Sequence, residues 1–116
     1  MKDIAVVGSR DFPDLELVGE VLRQCDHSKL ISGGAKGVDR KAEEYARQYN
    51  VEIEVIEPDW DQHGKSAGPI RNQEIINKAE HIIAFWNGES SGTKDSIKRA
   101  LKSDKPVDVY VRKKPN

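Results

Sequence analysis

Four short stretches concentrate the residues able to receive an anion. They are Gly8-Ser9-Arg10-Asp11, Ser32-Gly33-Gly34-Ala35-Lys36-Gly37, Asp59-Trp60 and Asn87-Gly88-Glu89-Ser90-Ser91-Gly92-Thr93. Glycine between a strand and a helix lets the backbone approach a phosphate closely. The first turn of the helix then offers unpaired N–H groups and a partial positive charge. Hydroxyls at Ser9, Ser32, Ser90, Ser91 and Thr93 add donors, and Arg10, Lys36 or Arg71 could neutralise charge. Trp60 or Trp86 could stack on a base. A phosphate-bearing, nucleotide-derived ligand fits this inventory. An architectural reading stands beside it: glycines serve tight turns in any α/β protein, Ser90 or Ser91 suits a helix cap, and Asp39 suits a local cap.

Other chemistries are poorly served. Gly64-Lys65-Ser66 ends like a Walker A loop, but the upstream glycine position holds Asp59 and no strand leads directly into a helix there. Gly33 to Gly37 lacks the G-x-G-x-x-G spacing of a dinucleotide site. His27, His63 and His81 are scattered without metal-ligand spacing, and Ser9 has no evident histidine partner as a nucleophile. Neither a metal nor a cofactor is expected.

The elements that must position these loops follow from hydrophobic pattern. Solid apolar runs at Ile4–Val7 and Ile82–Trp86 read as strands buried on both faces, with Leu30-Ile31 a short third. Val51, Ile53 and Val55, and later Val107, Val109 and Val111, alternate with polar residues as edge strands do. Helical stripes run from Leu15 to Cys25, from Val38 to Tyr49, through Ile75, Ile76 and Ala79, and through Ile97, Ala100 and Leu101. The third of these is expected to follow a loop holding Gly64, Gly68 and Pro69. Five strands separated by four helices predict a Rossmann-like three-layer α/β/α sandwich with a parallel sheet. Buried runs in the middle and alternating ones outside favour strand order 3-2-1-4-5 over 2-1-3-4-5. All four polar stretches then fall at the carboxyl ends of strands, where such sheets bind ligands. The opposite-end connections, Asp26-His27-Ser28 and Ser103-Asp104-Lys105, have no comparable glycine content. A single domain over 1–111 is expected, with 112–116 a frayed basic tail.

Composition narrows the partners. The 116 residues carry 19 basic and 20 acidic side chains, a formal net charge of −1, so no long-range positive field exists and a duplex-DNA partner is not expected. No run of about 18 apolar residues is present to cross a membrane. The lone Cys25 cannot form an internal disulfide, and the start of the chain is too short in apolar residues for a signal-peptide core. A cytoplasmic protein is expected.

Taken in order, Gly8-Ser9-Arg10-Asp11-Phe12, Ser32 through Arg40, Asp59-Trp60 with Gly64-Lys65, Ala67-Gly68-Pro69-Ile70-Arg71-Asn72, and Ile82 through Trp86 followed by Gly92-Thr93 resemble the YspA-like branch of the SLOG superfamily. The resemblance implies a Rossmann-like sheet binding nucleotides or nucleotide-derived molecules at these loops. Within the superfamily, Lonely Guy enzymes cleave the N-glycosidic bond of nucleoside monophosphates, other members sense ADP-ribose-type signals, and the DprA branch binds single-stranded DNA. A Lonely Guy-like catalytic arginine would fall on Arg71. Their P-G-G-x-G-T-x-x-E motif is altered here: Trp86-Asn87-Gly88 replaces P-G-G, and the glutamate position is Ser96. That removes the carboxylate expected to support an oxocarbenium-like transition state or activate water. Asp95 lies about 100° away around the helix, and Asp39, Glu43 or Asp59 could supply an acid from another loop.

The expectation is a binder of a nucleoside monophosphate or ADP-ribose-type ligand that senses, carries or sequesters it. Its contacts would come from Gly8, Ser9, Arg10, Ser32, Gly33, Gly34, Lys36, Gly37, Trp60, Asn72, Asn87, Gly88, Ser90, Ser91, Gly92 and Thr93. The alternative is a phosphoribohydrolase or N-glycosidase using Arg71 with Asp39 or Asp59. A weaker alternative is single-stranded nucleic-acid binding. Relatives commonly dimerise through helices near the site, so a homo-oligomer, a dimer or higher, is expected.

Overall fold

The computed structural model describes residues 2–115. The chain alternates strands and helices: β1 (Lys2–Gly8), α1 (Leu15–Gln24), β2 (His27–Ser32), α2 (Val38–Tyr49), β3 (Glu52–Val55), α3 (Trp60–His63), α4 (Ala67–Lys78), β4 (His81–Trp86), α5 (Ser91–Lys102) and β5 (Val107–Val111). A single 3-10 turn, Gly64–Ser66, joins α3 to α4. The five strands pair in parallel in the order β3-β2-β1-β4-β5. This is the Rossmann-like α/β sandwich that the strand patterns predict.

Strand alternation divides the core into two layers. Ile4 and Val6 of β1 face one side, with Ile83 and Phe85 of β4, and pack against Val18 and Leu22 of α1 and Val38, Ala42 and Ala46 of α2. Ala5 and Val7 face the other, with Ile82 and Ala84, against Ile75, Ile76 and Ala79 of α4 and Ala100 of α5. Filling both faces explains why β1 and β4 carry solid apolar runs. Each fully buried Ile, Leu, Val or Phe contributes roughly 1.5–3 kcal/mol of transfer free energy, so this central pair anchors the sheet. The edge strands behave otherwise: Glu52 of β3 and Asp108 of β5 are exposed.

Three local readings are corrected. Gly68 and Pro69 lie inside the first turn of α4 rather than in a loop. Proline is tolerated there because the first-turn N–H groups have no partner within the helix. Helix α3 buries no residue and so leaves no apolar stripe in the sequence; Asp59 initiates it by accepting the Gln62 backbone N–H at 3.1 Å. Strand β2 begins at His27, so His27-Ser28 is strand rather than connection. Its outer residues are exposed or half-buried, and backbone pairing to Lys2 and Asp3 needs no apolar pattern.

Segment 112–115 continues past β5, with the Arg112 N–H donating to the Trp86 carbonyl at 3.0 Å. Asn116, the last residue of the expected frayed tail, lies outside the described residues. Among the described residues no helix is long and apolar enough to cross a membrane.

Candidate functional site

The order of strands reverses between β1 and β4, and a cleft of about 820 Å³ opens there at their carboxyl ends. Its size lies within the ordinary range of small-molecule sites. The β1 end, the β2–α2 loop, the first turns of α2, α4 and α5, and the β4–α5 loop all contribute walls. Turns distant in sequence therefore share one cavity.

Two glycines set how closely these parts approach. A Cβ on Gly8 would lie 2.5 Å from Cβ of Val38, so only glycine lets the start of α2 press against the end of β1. Gly37 has φ +78°, and a Cβ there would meet the Arg10 carbonyl oxygen at 2.2 Å. The β1–α1 and β2–α2 loops are thus interlocked through backbone.

On the β4 side a polar network fixes the N-terminus of α5. Buried Ser9 accepts the Asn87 backbone N–H through Oγ at 3.1 Å and lies 3.4 Å from Thr93 Oγ1. Asn87 Oδ1 accepts the N–H groups of Glu89 and Ser90 at 2.8 Å, while its Nδ2 donates to Asp11 at 2.7 Å. Ser90 caps α5, its Oγ accepting the Thr93 N–H at 3.4 Å. The capping reading of Ser90 is therefore correct, and Ser90 still lines the cleft.

On the opposite side Arg71 ties the loops after β2 and β3 together. Its Nη1 donates to the Gly33 carbonyl at 2.5 Å and approaches the Ile56 carbonyl at 3.5 Å; its Nε donates to Asn72 Oδ1 at 3.1 Å. Asn72 in turn donates to Asp95 at 3.0 Å, and Arg99 donates to the same carboxylate at 2.8 Å. Asp39 lies 6% exposed beside this arginine, with Oδ2 accepting the Ala35 N–H at 3.1 Å. Burial pushes the Asp39 carboxyl up to about 6, against the downward pull of the Ala35 N–H and the Arg71 charge. Burial also lowers the Arg71 pKa, with Asp39 acting the other way. A Cβ on Gly33 would lie 2.6 Å from Arg71 Nη1 and 2.9 Å from Asp39 Oδ2, which is why this position is glycine.

Of the residues expected from sequence, Gly8, Arg10, Gly33, Lys36, Asp39, Trp60, Arg71, Asn72, Asn87, Ser90, Ser91, Gly92 and Thr93 line the cleft. Ser9, Gly34, Gly37 and Gly88 sit one layer behind and shape the lining loops, Gly34 and Gly88 with φ of +75° and +85°. Ser32 is fully buried, with Oγ donating to Glu43 at 3.3 Å, and Asp59 caps α3; neither lines the cleft. The two tryptophans separate. Trp60 is 56% exposed at the cleft, whereas the Trp86 indole N–H donates to the Ser90 carbonyl at 3.0 Å and is held in the loop.

Sequence reasoning missed Val7, Ala35, Ile75 and Glu89 as lining residues, and gave Asp11, Gly68, Pro69, Asp95 and Ser96 no binding role. The signal for α4 was its spacing: Gly68, Arg71, Asn72 and Ile75 recur at helical intervals. Charge in the cleft is mixed, with Arg10, Lys36 and Arg71 set against Asp11, Asp39, Glu89 and Asp95. Among the described residues no group of three or more His, Cys, Asp or Glu is arranged to hold a metal ion.

A parallel sheet in this order, with glycine-rich strand ends meeting in a cleft at its switch point, defines a Rossmann-like protein. The chain belongs to the YspA, cpYpsA-related SLOG family (YAcAr), whose family model matches residues 2–63. It is 35% identical over 118 residues to the Gene 61 protein of Mycobacterium phage D29, covering 92% of this chain and 94% of that protein. Its fold is similar to that of DNA processing protein A (DprA) from Streptococcus pneumoniae, with a TM-score of 0.78 and 20% identity over 92% of this chain. The chain spans about half of that structure, 49% of its length, and the likeness is one of fold.

Proposed function

We propose that the cleft binds a phosphate-bearing nucleotide or nucleotide-derived molecule, of nucleoside monophosphate or ADP-ribose type, and that the protein senses, carries or sequesters it. The observation that carries this reading is convergence: the first turns of α2 and α5, with the flank of α4 between Gly68 and Ile75, open on one cavity. Helix starts present N–H groups and positive partial charge, so together they favour an anion without a large excess of basic side chains. The exposed Trp60 at the rim gives a base a surface to stack on. Family membership and the DprA-like fold agree with a role in nucleotide or nucleic-acid biology.

Isothermal calorimetry with AMP, NAD and ADP-ribose tests the reading. Saturable binding of at least one, weakened in Arg10→Ala or Lys36→Ala, is the expected result; no heat with any of them removes it.

One observation favours a second reading, an N-glycosidase. A carboxyl with pKa about 6 beside Arg71 keeps a protonated fraction near neutrality, as a general acid requires. In that reading Asp39 rather than Asp59 is the acid, because Asp59 caps α3 away from the cleft. Free base released from AMP, followed by chromatography and abolished in Asp39→Asn, would establish turnover. Homo-oligomerisation belongs to the same proposal: Ile70 on α4, 42% exposed, offers an apolar contact next to the site. Light scattering on the purified protein decides it.

A further inference from the structure

The sequence reads 112–116 as a frayed tail, yet segment 112–115 is fastened to the rim of the cleft. The Arg112 N–H extends the β4–β5 ladder to Trp86. The Lys113 stem covers Gly88, its Cε and Cγ lying 3.6 and 3.7 Å from where a Cβ on that glycine would sit. Lys114 forms an ion pair with Oδ2 of Asp11. The other oxygen of that carboxylate, Oδ1, accepts Asn87 Nδ2, and Asn87 accepts the N–H groups of Glu89 and Ser90 at the start of α5. Lys114 is thus coupled through two side chains to the helix end where an anion would be received.

The charge at this spot needs explaining. Asp11 and Glu89 both line the cleft beside the N-terminus of α5. Two carboxylates there oppose the partial positive charge of the helix and repel a phosphate. Lys114 is placed to cancel one of them. An acceptor is needed at position 11, since its Oδ1 holds the Asn87 amide that organises the loop, and asparagine would keep that oxygen while removing the charge. A lysine from outside the cleft lets the carboxylate keep that structural role without its full electrostatic penalty.

We propose that segment 112–115 is a strap on the β4–α5 loop, and that the Lys114–Asp11 pair sets the affinity of the cleft for anionic ligands. The second half rests on the nucleotide-binding reading above; the first does not. Both side chains of the pair are about half exposed, so its own contribution to folding is small and its effect is felt in the field of the cleft.

The test uses the full chain with AMP and ADP-ribose as probes. Lys114→Ala should weaken binding about three- to tenfold, as expected for an uncompensated charge one or two residues from a phosphate. The double variant Asp11→Asn, Lys114→Ala should recover affinity to within about twofold, because the repelling charge is gone. Unchanged affinity in Lys114→Ala, or no recovery in the double variant, overturns the charge-setting role. Limited trypsin digestion read by mass spectrometry supplies an arm that needs no ligand. The Arg112–Lys113 and Lys113–Lys114 bonds should be cut several-fold faster in Asp11→Asn than in the parent, and equal rates overturn the strap. If the parent binds neither probe, the nucleotide reading and the charge-setting role both fail, while trypsin still decides the strap.

Discussion

Arg71 Nη1 lies 2.5 Å from the carbonyl oxygen of Gly33, a residue 38 positions earlier in the chain. The same nitrogen faces the Ile56 carbonyl, so one guanidinium on α4 braces the ends of β2 and β3. An arginine assigned to chemistry by resemblance is thereby also a structural tie. Replacing it with alanine should lower stability by about 1–3 kcal/mol, the usual cost of leaving partly buried carbonyls without their donor. Arg71→Lys should recover little, since an ammonium cannot serve Gly33, Ile56 and Asn72 from one plane. Urea denaturation at pH 7 measures both, with the slope unchanged if the fold is kept.

Two glycines of the loops around the cleft should respond oppositely to alanine. At Gly37 the backbone is left-handed and a Cβ would overlap the Arg10 carbonyl, so Gly37→Ala should destabilise by about 2 kcal/mol or more. At Gly92, in the first turn of α5, nothing lies within 4 Å of the added Cβ. Gly92→Ala should be neutral or stabilise by up to about 1 kcal/mol. A Gly92→Ala protein that is more stable yet binds AMP less well would mark that backbone as a ligand contact.

Asp39 gives the protein a recognisable dependence on pH. Its carboxyl titrates near 3.8 when free and at about 6 when folded, so between those values the folded state holds more protons. Stability contributed by this group is then present below about pH 4 and lost as pH rises through 6. The difference amounts to about 2–3 kcal/mol at roughly 1.4 kcal/mol per unit. Asp39→Asn should flatten the curve between pH 4 and 7 while keeping an oxygen for the Ala35 N–H. Glu54 works the other way: hydrogen bonds from Lys29 and Lys78 hold it down to about 2, so its contribution exists above 4.5 and disappears as pH falls towards 2. Denaturant midpoints collected from pH 3 to 8 for parent and variant separate the two.

Trp60 should report occupancy of the cleft. Its ring is exposed at the rim, whereas Trp86 is held by Ser90 and packed into its loop. Adding AMP should quench or shift the fluorescence of the parent protein and leave Trp60→Phe without response. A signal that survives Trp60→Phe would place the bound base elsewhere.

Much of the site was readable because loop chemistry is local. Glycines at Gly8, Gly33 and Gly37, the cap at Ser90 and the hydroxyls of the 90–93 turn announce themselves by residue type and by position after an apolar run. Asp59 and Ser32 share those features, yet one caps a short helix and the other is buried against Glu43. Their residue types cannot say which way a side chain turns. Gly68 and Pro69 read as loop because both residues usually break helices, a rule suspended in a helix's first turn.

The parallel sheet, its strand order and the rim at which polar loops gather can be read from residue pattern alone, because burial on both faces writes itself as solid apolar runs. Which side chains meet across that rim emerges only from packing in three dimensions. The reach of Arg71 to Gly33, the burial of Asp39 and the fastening of Lys114 to Asp11 join residues dozens of positions apart. Such contacts depend on how helices pack and where loops close, and no local spacing in the chain records them.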